Sequence, residues 1–62
     1  MKQIELAQKT KMSTQHVCDL KAGRRGMSVK NAKLFEAATG IPARQWLLPD
    51  EFGNPWTELE KL

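Results

Sequence analysis

Ser13, Gly23, Ser28 and Gly40 cut the chain into pieces of helical length, and this punctuation limits the fold more than any other feature. A serine hydroxyl can accept from the free amides of a first helical turn. A glycine just past a helix takes the left-handed backbone that closes it. The pairs bracket helices from Thr14 to about Ala22 and from Val29 to about Thr39. Val17 and Leu20 share one face of the first. Val29, Ala32, Phe35 and Ala38 are expected to form a buried stripe on the second. An earlier helix is expected from about Lys2 to Thr10, with Ile4, Leu6, Ala7 and a closing Met12 as its apolar positions. A short one from about Ala43 to Leu48 follows Pro42, with Trp46 and Leu47 as anchors. Pro49 to Gly53 reads as a loop. Asn54 and Pro55 open a last short helix, with Trp56, Leu59 and Leu62 on one face. The expected fold is all-α, a small bundle of four to five short helices.

With 62 residues the chain forms one domain with a thin core. Charge divides it into a body, 1–48, and a tail, 49–62. The body holds nine Lys and Arg against Glu5, Asp19 and Glu36, or +6. The tail holds Asp50, Glu51, Glu58 and Glu60 against Lys61, or −3. A basic body fits a polyanionic partner. No long apolar run or basic-then-apolar leader is visible, so neither a membrane span nor a secretory signal is expected. The single Cys18 cannot form an internal disulfide, which suits a reducing compartment such as the cytoplasm. Paired carboxylates, a phosphate-binding glycine loop and a metal-spaced His/Cys cluster are all missing, so no enzyme, cofactor or metal is expected. His16 and Cys18, two apart, face different sides of one helix and form no dyad.

Two short helices joined by the turn Lys11-Met12-Ser13 have the spacing of a helix-turn-helix. The run Gln3-Ile4-Glu5-Leu6-Ala7, continued by Met12-Ser13-Thr14-Gln15, Val17, Leu20 and Gly23-Arg24-Arg25, resembles the lambda repressor and Cro-like family of DNA-binding domains. Phe35-Glu36-Ala37-Ala38-Thr39-Gly40 and Ile41 to Trp46-Leu47-Leu48 extend the resemblance over roughly residues 3–48. There are two departures. Lys11 stands where the family has a turn glycine, a left-handed position costing about 1 kcal/mol for other residues. Only Met1 and Lys2 precede Gln3, where the family has its first helix. The face of Trp56, Leu59 and Leu62 is a candidate cover for the flank so exposed, from the same chain or a partner.

The resemblance implies that the second helix enters the major groove with its N-terminal residues at base edges. Opposite Val17 and Leu20 lie Gln15 and Asp19, with Thr14 at the tip. These three are the candidate base readers. Gln15 can pair with adenine and Thr14 with a thymine methyl or a base edge. Asp19 can accept from a cytosine amino group, or can bond Gln15 one turn back and orient it. Lys11, Lys21, Arg24, Arg25 and Lys30 surround the helix and can reach phosphates. His16, on its flank, suits either a DNA contact or half-buried packing. The resemblance also implies a phosphate contact from Gln3. Trp46 and Trp56 are expected as core or interface anchors.

These readings lead to a sequence-specific regulator of transcription, such as a compact phage-type repressor, acting on double-stranded DNA as a homodimer. Leu47, Leu48, Phe52 and the tail are the apolar material for a dimer contact. Two alternatives stand beside it: an antitoxin of the same fold that binds DNA and a toxin, and a helical interaction module that does not bind DNA.

Overall fold

The expected caps form. Helix α2, Thr14–Ala22, starts where Ser13 Oγ accepts the His16 amide at 3.0 Å. Helix α3, Val29–Thr39, starts where Ser28 Oγ accepts the Asn31 amide at 3.1 Å. Gly23 and Gly40 close these helices in the left-handed region, at φ 82° and 80°. In this computed structural model, which describes residues 1–62, the chain is all-helical. Helix α1 is Gln3–Thr10, α4 is Ala43–Leu47, α5 is Pro49–Phe52 and α6 is Pro55–Glu60. No helix is long and apolar enough to cross a membrane.

The turn from α1 to α2 takes three residues. Lys11 sits at φ 59°, the only non-glycine residue at positive φ. The Met12 amide donates to the Ala7 carbonyl at 3.0 Å and the Lys11 amide to Gln8 at 3.3 Å. This is the double bond pattern that glycine usually closes, here made by lysine. Met12, half-buried, packs on the core next to the turn.

Every helix but α5 gives one or two side chains to a single core, joined by Ile41 from the α3–α4 connection: Leu6, Ala7, Val17, Leu20, Ala32, Phe35, Ile41, Trp46 and Leu59. Phe35 is fully buried, with Trp46 edge-on at 4.8 Å and Trp56 at 6.0 Å. Trp46 and Trp56 meet edge to face at 4.9 Å. Perpendicular contacts of this kind suit the aromatic quadrupole. The Trp46 indole N–H donates to the Ile41 carbonyl at 3.2 Å, so its polar end is satisfied inside the core.

The tail folds back on the body. Asn54 Oδ1 caps α6 by accepting the Trp56 amide at 2.9 Å, and Pro55 follows in the first turn. Leu59 is 2% exposed, and its carbonyl accepts from the Met1 amine at 2.6 Å. The flank beside the start of α1 is thus covered by the chain's own Leu59 and Trp56. Leu62 lines the cleft on that flank with Met1, Lys2 and Gln3. It lies beyond the end of α6 and is exposed.

Other expectations need correction. Pro49–Phe52 is a helical turn rather than a loop, so there are six short helices and not four or five. Proline needs no amide partner in a first turn, and the Phe52 and Gly53 amides reach the Leu48 and Pro49 carbonyls at 3.1 and 2.9 Å. Leu48 leaves α4 at φ −129° because a residue before proline is pushed out of the helical region. Ile4 and Val29, expected inside, are 53% and 57% exposed. Both lie in the first turn of their helix, where side chains lean past the helix end and find no neighbour.

Gln45, on α4, is 93% buried by its 7% exposure, and its Nε2 has no hydrogen-bond partner. It lies against Gly53, where even a Cβ would come within 3.6 Å. Gln45→Met keeps the length and removes the unpaired donor. Urea unfolding should show a gain of about 1 kcal/mol. A loss instead would mean that the amide has a partner in solution.

Candidate nucleic-acid interface

Helix α2 turns Val17 and Leu20 into the core, at 0% and 7% exposure, so its opposite face points outward. Thr14 and Gln15 lie exposed at the leading end of that face. One turn further on, Gln15 Nε2 donates to Asp19 Oδ1 at 2.9 Å. The carboxylate gathers two more donors. Arg24 Nε reaches Oδ1 at 2.7 Å, and Arg25 Nε stands 3.6 Å from Oδ2.

The end of α2 brings these groups together. Gly23, in its left-handed turn, reverses the chain, and the Arg24 and Arg25 amides bond the Asp19 carbonyl at 2.9 and 3.3 Å. Both guanidinium groups are thereby returned beside the side chain of the same residue. Arg24 Nη2 also lies 3.5 Å from Cys18 Sγ. The Arg24 guanidinium first, and then the Gln15 amide, hold the Asp19 carboxyl below its ordinary value of 3.8. The Arg24 pKa is raised in turn, chiefly by its bond to Asp19 and then by Cys18. A carboxyl with a lowered folded pKa adds stability above its ordinary pKa and loses it as pH falls through the lowered one. The cluster is therefore complete at neutral pH and opens only below the ordinary carboxylate range. Exposed ion pairs add little to folding, so its main effect is on side-chain geometry.

The remaining expected site residues fall into separate places. Lys11, Lys21 and Lys30 are exposed, and the chain's ion pairs are those of Asp19 alone. His16 is half-buried, and its ring makes no hydrogen bond within the chain. Gln3 and Lys21 meet on a shallow cleft of about 700 Å3 between the start of α1 and α6. Lys2 and Lys9 line the same cleft, along with Glu5 and Glu60. Sequence reading passed over these two lysines. Their separation of seven residues, two helical turns, was the signal that they share a face.

The polar groups offered by the α2 tip are a hydroxyl at Thr14 and an amide at Gln15. Arg24 and Arg25 stand beside Asp19, one turn further along the helix. Such a surface can donate to and accept from the edges of a planar ring system while neutralising nearby anions. Comparisons with protein-family models, with curated proteins and with solved structures find no match.

Proposed function

We propose that the chain is a sequence-specific DNA-binding regulator of transcription. In this reading α1 and α2 act as a helix-turn-helix, and α2 lies in the major groove. One observation carries the proposal. The leading end of α2 stands free of the core, with Thr14 and Gln15 exposed, Arg24 and Arg25 returned to Asp19 on the same face, and Lys11, Lys21 and Lys30 exposed. Thr14 and Gln15 meet base edges, and the cations and Gln3 meet phosphates. His16 lies on the flank of the same contact. A DNA partner and a lone cysteine both fit work in the cytoplasm.

Duplex binding measured across a salt series tests this. The log of the affinity should fall linearly with the log of salt, by about 0.9 per phosphate contact. Binding that ignores salt, or no binding, would favour the interaction-module alternative.

A dimer places two reading helices about one DNA turn, roughly 34 Å, apart. Leu48 and Phe52 are one helical turn apart, joined by the Phe52 amide to Leu48 carbonyl bond, and are 49% and 46% exposed. They give α5 an apolar pair for a second copy, with Arg44 stacked 5.5 Å over the Phe52 ring. Phe52→Glu should leave the chain monomeric in sedimentation equilibrium. It should also weaken binding to a two-half-site duplex on the order of a hundredfold, the gain that linking two contacts provides. An unchanged mass would place the dimer contact elsewhere.

A further inference from the structure

We infer that Asp19 is a positioning residue that makes Gln15 select adenine and reject guanine. The inference rests on the DNA-binding reading of α2 and assigns the base that its tip recognises. The first observation is the chemistry of the bond between the two side chains. An ionised carboxylate only accepts, so the group facing Asp19 Oδ1 at 2.9 Å must be the amide nitrogen of Gln15. That fixes which way round the amide lies. One of its two N–H groups is held by Asp19. One N–H and the carbonyl oxygen are left to point away from the helix.

A single donor beside a single acceptor is the complement of adenine, whose major-groove edge carries an N7 acceptor and an N6 donor. Guanine offers two acceptors there, N7 and O6, and is met by two donors. With the Gln15 amide held by Asp19, one of the two guanine acceptors faces the Gln15 carbonyl oxygen and is repelled. A free glutamine could turn its amide and offer both N–H groups. The discrimination thus lies in the bond to Asp19 rather than in Gln15 alone.

The second observation concerns why Asp19 does not read a base itself. Its carboxylate already accepts hydrogen bonds from Gln15 and Arg24 and is paired with Arg25 at 3.6 Å. The left-handed turn at Gly23 keeps the two arginines there. They hold the carboxylate ionised and in place, which keeps it an acceptor for Gln15. The Arg24 hydrogen bond and the Arg25 ion pair both use Nε. The Nη groups of Arg25 remain for phosphate.

The test is selection of bound duplexes from a random pool by the full chain and by Gln15→Ala and Asp19→Ala. The parent chain should prefer adenine over guanine by about tenfold at one position of each half-site. Gln15→Ala should abolish that preference. Asp19→Ala should reduce it to about twofold at the same position. Its affinity for mixed-sequence duplex should rise, because a negative charge leaves a surface that faces phosphate. Retained adenine preference in Asp19→Ala overturns the inference. So does loss of a cytosine preference at another position, which would make Asp19 a direct reader. A uniform fall in affinity with base preference intact overturns it too, in favour of a purely structural role. Nuclear magnetic resonance of the free chain reads the bond without DNA: the Gln15 side-chain amide protons should shift in Asp19→Ala, and unmoved resonances count against the inference. If the parent chain retains no duplex, the DNA-binding reading itself fails and the inference with it. Failure of the base preference alone leaves that reading standing.

Discussion

Phe35→Ala is expected to remove a large share of the chain's stability at 25 °C. The side chain is fully buried and meets two indole rings edge-on, at 4.8 and 6.0 Å. Removing a buried phenylalanine costs about 3–5 kcal/mol, from lost transfer energy and the cavity left behind. At about 0.05–0.15 kcal/mol per residue, a chain of this length has only about 3–9 kcal/mol in total. The loss is therefore a large share of the whole. Urea titration followed by helical circular dichroism should show a much lower midpoint and a shortened folded baseline. Phe35→Leu fills most of the space and should fold with a lowered midpoint. An alanine variant that unfolds near the parent midpoint would mean that the aromatic cluster is peripheral to stability.

Deleting residues 54–62 should have an effect of similar size. The deletion takes Pro55, Trp56 and Leu59 out of contact with the body. Leu59 alone, cut to alanine in the full chain, should cost about 2–5 kcal/mol. The deletion also removes one ring of the aromatic cluster and uncovers Trp46 and the start of α1. Thermal unfolding of the shortened chain should lose its cooperative transition, while Leu59→Ala should keep one at lower temperature. A shortened chain that melts like the parent would make α6 an appendage. The exposed face of α2 would then have to be held by α1 to α4 without it.

Much of the helical layout was legible because its causes are local. Ser13, Ser28 and Asn54 bond amides two or three residues away. Gly23 and Gly40 close helices through bonds that span four or five residues. Such contacts lie inside the window that a sequence pattern describes. The left-handed backbone at Lys11 was also expected, from the place that glycine holds in the family the chain resembles. The turn at Pro49–Phe52 was missed because Pro, Asp and Gly mark loops and one-turn helices alike.

The site was legible as a set of residues but not as an arrangement. Spacing placed Gln15 and Asp19 one turn apart and left two roles open for Asp19. The contacts that bear on the choice come from Arg24 and Arg25, beyond the end of the helix, where spacing along a helix no longer applies. The cleft joining Gln3 and Lys21 to Lys2 and Lys9 was not foreseen, because α6 supplies one of its walls.

The sequence by itself determined where helices start and stop and which face of each is apolar, since caps and periodicity act within about one turn. Tertiary structure alone decided which apolar side chains were covered. Ile4 and Val29 satisfy the helical pattern and lie in water, whereas Leu59, nearly sixty residues from Met1, closes over the start of α1. Burial requires a second surface at the right place. Periodicity states that a face is apolar, and only the packing of all six helices states what meets it.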